Sequence, residues 1–291
     1  MKHLILLTIG VFLTMNLQAQ KLSEKVMQKA CDCVNNLKTY QQLQDSLQNC
    51  TVEAMAFVMK NGTSEERETL SKVEGITGIF KDVKEALPSY CDNVRKLMVE
   101  EKVREYYRLS LNKNANKYYE EGNELLEKGD FTGARKEYEK AVKIDKNFVY
   151  ALDHIAISYR REKNFELAIK YYKKSLDVFP EGNLAHLNLA VVYSLLEDYD
   201  NALKHYQELV YLYQDDPEGY FGAGKILFIQ TKYEQALENL FTAYLLYKKT
   251  NSNYLKDSES LISMVYTDLK NKGKLDIFTQ KAQQYNVSIS E

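Results

Sequence analysis

The sequence has no tryptophan, only three prolines and only twelve glycines in 291 residues. With so few helix breakers, and with Ala, Leu, Lys, Glu and Gln dominating long stretches, the chain is expected to be all-α, its helices joined by short turns. Neither sign of charge prevails. The 39 basic residues are matched by 41 acidic ones, which excludes the basic footprint of a nucleic-acid-binding protein and the polybasic patch of one drawn to anionic lipid. Long hydrophobic runs are missing too. The one from Leu4 to Met15 falls short of the roughly 20 residues a membrane-spanning helix needs, so no integral segment is expected in the mature chain.

Chemical motifs are equally scarce. There is no glycine-serine nucleophile elbow, no two-histidine zinc helix, no EF-hand loop and no dinucleotide fingerprint, so neither catalysis nor a cofactor is expected. Phe221-Gly222-Ala223-Gly224-Lys225 is too short from first glycine to lysine for a phosphate loop. His154, His186 and His205 fall in separate helices with no further ligand at helical spacing, and no metal site is expected of them.

What is present begins with a leader-like start. Lys2 and His3 form a basic head, Leu4 to Met15 an apolar stretch, and the more polar Asn16-Leu17-Gln18-Ala19 ends in a small residue. This is the pattern of a secretory signal peptide over 1–19, cleaved after Ala19, and it predicts export to a bacterial periplasm or beyond.

The strongest signal is a repeat. Stepping by 34 residues gives the small column Gly122, Ala156, Ala190 and Gly224, and the column Ala134, Ala168, Ala202 and Ala236. Rings recur at Phe131, Phe165, Tyr199 and Tyr233, and bulky residues at Tyr138, Tyr172, Tyr206 and Leu240. Within each unit these positions fall at helical spacing in two runs split by a polar turn, so each unit is a helical hairpin. Small positions admit close backbone approach and the rings fill the space beside them.

The pattern resembles the tetratricopeptide repeat family from Ala115 to Thr250, in units 115–148, 149–182, 183–216 and 217–250. Tyr118 and Tyr220 match the family's early aromatic, where Leu152 and His186 depart from it; Pro180 alone matches the helix-ending proline. The fold implied is an α-solenoid. Such a stack must hide its last apolar face, and 251–291 is expected to do so with a degenerate, capping helical pair.

Residues 20–110 lack the period but keep helical apolar spacing, as in Val26, Ala30, Cys33 and Leu37, and predict a small helical domain. Pro88 is expected to open its last helix. Four cysteines in an exported chain suggest two disulfides with three possible pairings. A turn near Tyr40 to Gln42 would set Cys33 opposite Cys50 and leave Cys31 for Cys91. Cys31 and Cys33 project about 200° apart on a helix, which disfavours their acting together as a redox or metal pair.

In the family the first helices of successive units line a concave face. The resemblance therefore implies a protein or peptide partner there, met by Tyr119, Asn123, Leu126, Tyr150, Ile157, Arg160, Leu187, Val191, Phe221, Lys225 and Phe228. These columns vary between units while the packing columns agree. The expected function is an exported scaffold or adaptor. The alternatives are a structural subunit of a cell-envelope complex and a thiol-redox enzyme that uses the repeats to select substrates. Partner identity and oligomeric state are not legible.

Overall fold

The computed structural model describes residues 21–287, and every regular element among them is helical. The leader assigned to 1–19 lies outside the described residues. Two compact units divide at Glu101 and Lys102.

The first unit contains α1 (21–34), α2 (Tyr40–Asn61), α3 (Ser64–Leu70), α4 (Val73–Tyr90) and most of α5 (Asp92–Tyr106). Its core follows from stripes four residues apart: Val26, Ala30 and Val34 on α1, Cys50, Ala54 and Val58 on α2, and Ile79, Val83 and Leu87 on α4. Thr63 and Glu66 close a reciprocal capping box that starts α3. Disulfides join Cys31 to Cys91 and Cys33 to Cys50, with Cα separations of 5.6 and 5.7 Å. They close sequence separations of 60 and 17 residues, each worth about 3 to 4 kcal/mol on a chain-entropy estimate. Pro88 does not begin a helix. It sits in the last turn of α4, and the new helix starts only after Cys91, whose N–H still bonds back to the Leu87 carbonyl.

The second unit starts with the tail of α5 and continues through four hairpins. These are α6 (Lys113–Glu127) with α7 (Phe131–Ile144), α8 (Val149–Arg161) with α9 (Phe165–Val178), α10 (Asn183–Leu195) with α11 (Tyr199–Leu212), and α12 (Pro217–Ile229) with α13 (Tyr233–Lys249). Residues 102–110 belong with the repeats, because Lys102, Tyr106 and Tyr107 bond to them.

Each hairpin turn is the same device. The residue past the first helix adopts a left-handed backbone at Gly129, Lys163, Glu197 and Thr231, with φ of 80, 60, 59 and 58°. The next N–H reaches back five residues, as from Asn164 to the Tyr159 carbonyl at 2.9 Å. In three turns that next residue, Asp130, Asn164 or Asp198, also caps the second helix with its side chain.

Small columns meet large ones between the helices. A Cβ added to Gly122 would stand 2.5 Å from the Tyr138 ring, and one at Gly224 would stand 2.7 Å from Leu240. α14 (Leu255–Asn271) and α15 (Leu275–Gln284) finish the stack, burying Ile262, Val265, Leu269 and Phe278 against Tyr233, Leu237, Leu240 and Phe241. Among the four hairpin turns, only the one at Gly129 is free of the cost of a left-handed backbone. Thr231, branched at Cβ, bears it most heavily. Thr231→Gly is therefore expected to raise unfolding free energy by about 0.5 to 1 kcal/mol. Urea melts of the two proteins check this, and an unchanged or lowered midpoint goes against it.

Candidate functional site

Helix α8 touches α10, α10 touches α12 and α12 touches α14, so the first helices of successive hairpins share one face. Residues projecting from that face divide into three groups by their surroundings.

Towards the start of the repeats the face is filled. Tyr119 is only 8% exposed and packs among the rings of Tyr138, Phe148, Tyr150 and His154, so it is part of the core. Asn123 accepts a hydrogen bond from the Tyr138 hydroxyl at 2.8 Å, and Leu126 packs half-buried on the same cluster. Tyr150 is half-buried between Tyr119 and Tyr107, with ring centroids 6.1 and 5.3 Å away.

Further along, the face opens. Ile157 and Leu187 are half-buried against the central core, and Val191 is half-exposed one turn on from Leu187. Phe221 rests edge-on to Tyr247 and Phe228 lies beside Tyr233, with Lys225 exposed between them. The weak phosphate-loop pattern around Lys225 is helix interior, where a Cβ on Gly222 would stand 2.0 Å from the Tyr206 ring.

The third group is polar and buried. Asp153 is 0% exposed in the column otherwise held by Tyr119, Leu187 and Phe221. Its Oδ2 accepts a hydrogen bond from the Tyr107 hydroxyl at 3.2 Å, whereas Oδ1 has no partner. Arg160 Nε, Tyr172 Oη and Ser175 Oγ are likewise buried; Ser175 lies close to Asp153 and Arg160 close to Tyr172, but none of these atoms is in hydrogen-bonding geometry. Tyr138 has Asn123 to bond to, while the matching place beside Tyr172 is taken by Ile157. Burial raises Asp153 from an ordinary 3.8 to about 7, against the pull of the Ser175 and Tyr107 hydroxyls. The Tyr107 phenol is pushed well up by burial and then by the nearby Asp153 charge.

Two histidines that the helical spacing set apart meet across α10 and α11. His186 and His205 approach Nδ1 to Nδ1 at 3.0 Å, and His186 Nε2 lies 2.9 Å from the Pro180 carbonyl. A carbonyl can only accept, so His186 carries its proton on Nε2 and His205 donates through Nδ1. Burial lowers both, His205 to about 4, so the pair is neutral at pH 7. Among the described residues no three His, Cys, Asp or Glu are placed to hold a metal ion. The anomaly of Asp153 in an apolar column was visible in the sequence. Its partner Tyr107 precedes the repeat and carried no periodic signal.

Models of the tetratricopeptide repeat match residues 115–148 and 148–215. No curated protein matches the sequence. Among solved structures, "MamA 41-end from Desulfovibrio magneticus RS-1" is 16% identical over 62% of this chain and 100% of its own, with a TM-score of 0.50. "MamA RS-1 ArsTM double mutant" is 16% identical over 61% and 97%, also at 0.50. At such identity the likeness shows the fold. The expectation of export to a periplasm or beyond is withdrawn, because the solved structures that share this fold give it no support. No helix among the described residues is long and apolar enough to cross a membrane.

A carboxyl group that holds its proton more tightly when folded loses stability relative to the unfolded chain as pH rises from its ordinary value through its raised one. Ser175, Tyr107, Tyr172 and Tyr119 are polar groups around Asp153. Asp153→Asn keeps an acceptor for Tyr107 without the ionisation. The wild type is expected to lose stability relative to this variant between pH 4 and 7, by an amount on the order of a few kcal/mol. Parallel stability profiles in denaturant titrations across that range would sink the assignment.

Proposed function

We propose, from the premise that residues 115–215 are tetratricopeptide repeats, that the chain is a non-enzymatic scaffold subunit. Its concave face holds a polypeptide partner as a standing component of an assembly. The observation that carries this reading is the continuous surface of α10 and α12, where Leu187, Val191, Phe221 and Phe228 lie half-buried around the exposed Lys225. Apolar anchors around the exposed Lys225 suit an amphipathic helix or extended peptide with an acidic group near its centre. A standing subunit fits better than a transient adaptor, because much of the face is already part-covered and offers few charges for rapid steering. Leu187, Phe221 and Phe228 would be desolvated further on docking, and each anchor would contribute more than any rim charge.

The chain isolated by a tag from its own cells is expected to carry one stoichiometric partner through size-exclusion chromatography. The variant Val191→Glu with Lys225→Glu should release that partner at least tenfold more readily while keeping its helicity, since both positions are solvent-accessible. Undiminished co-elution from the folded variant overturns the assignment of this face.

A further inference from the structure

Residues 102–110 lie along the second and third repeats and are held as a ligand is held. Lys102 forms an ion pair with Glu181. Tyr106 lies flat on Phe179 with centroids 5.0 Å apart, and Tyr107 stands edge-on to the same ring at 5.3 Å. The Tyr107 hydroxyl donates to Asp153 and accepts the Leu184 N–H, both at 3.2 Å.

Two independent features mark the pocket as made for a phenol. The first is Asp153 itself. Every other residue in its column is apolar or aromatic, and a fully buried carboxylate is costlier than any of them unless a donor meets it. The second is the start of α10. Helices α6 and α12 are capped by the side chains of the residues before them, Asn112 and Asp216, whereas α10 follows Gly182, which has none. The Leu184 N–H there is met by the Asn183 side chain at 2.8 Å and also by the Tyr107 oxygen at 3.2 Å. A Cβ at Gly182 would lie 3.2 Å from it, so the glycine leaves room for the hydroxyl.

Beyond Tyr107 the stretch is held more lightly: Ser110 donates to Asp145 in the turn between α7 and α8, but Leu109 and Leu111 are 50 and 84% exposed beside a crevice of about 310 Å³. Asp153 Oδ1 and the nearby Ser175 hydroxyl also have hydrogen-bonding capacity that Tyr107 leaves unused.

We propose that this pocket is a recognition site for a tyrosine-bearing peptide and that Tyr106-Tyr107 is its resident occupant. A partner enters by displacing that pair, presenting two adjacent aromatic residues, the second a tyrosine, with a basic residue one helical turn before them. This rests on the concave face being the docking surface, and it names the chemistry recognised at that face's filled end. Because the resident pair is tethered, it competes at a high effective concentration.

The test uses the full chain and a fluorescein-labelled peptide of residues 100–111. The variant Tyr106→Ala, Tyr107→Ala is expected to bind the peptide at least tenfold more tightly than the wild type in anisotropy titrations. Adding Asp153→Leu, or replacing the peptide's second tyrosine with phenylalanine, should remove that gain. Equal affinity for variant and wild type, or indifference to either change, overturns the proposal. Should the double variant lose helicity, Tyr107→Phe keeps the ring and deletes only the hydroxyl. It is then expected to bind the peptide severalfold more tightly than the wild type, and unchanged affinity overturns the proposal equally. Partner release by the Val191→Glu, Lys225→Glu chain without peptide binding here sinks this pocket alone. Peptide binding here with the partner retained there sinks the broader reading alone.

Discussion

Where the two helices of a hairpin cross, a residue with little or no side chain lies against a ring or a leucine. Tyr138 occupies the space that a Cβ on Gly122 would need, and Leu240 does the same at Gly224. That contact sets the distance between the helices and hence how the next hairpin can stack. A methyl group at Gly122 would have to displace a side chain that is 0% exposed, in an interior with no slack. The left-handed residue at each turn, with a side-chain cap at three of the four, fixes the angle at which the second helix leaves. With separation set in this way, the first helices are brought onto one face, which is filled at its start by Tyr119 and Tyr150 and more open along α10 and α12.

Buried polar groups interrupt this regularity most heavily in the second unit. Tyr138 finds Asn123, but the second repeat has an isoleucine in that place and leaves Tyr172, Arg160 and Ser175 short of partners. The same unit buries Asp153. A scaffold selected for stability alone would carry an apolar residue there, as the neighbouring units do. Orphaned polar atoms in a dry interior lower stability and confer selectivity, because only a ligand with matching donors relieves them. The His186 and His205 pair is the opposite case. Each ring nitrogen that faces the interior is satisfied, so the pair holds α10 to α11 without inviting a ligand.

The first unit follows a different logic. It has no repeating neighbour to share a core with, and its two disulfides restrict the unfolded chain where hydrophobic burial in a domain of this size is modest. The cysteines alternate along α1, so that each finds a separate helix: Cys33 faces α2 and Cys31 faces the junction between α4 and α5.

The helical class, the 34-residue period and the hairpin character of each unit were determined by the sequence, because small and large residues recurring at fixed intervals can be satisfied by one local geometry. The same columns marked which side of the first helices was free to vary. They did not reveal that Tyr119 belongs to the core, since whether a ring on that side meets solvent depends on Phe148, at the end of its unit, and Tyr150, at the start of the next, closing over it. Nor did they reveal Tyr107, which lies outside the period, or the meeting of His186 with His205, which stand on different helices. Such contacts join residues through the stacking of whole elements. The register of that stacking is a property of the packed solenoid and leaves no mark in local spacing.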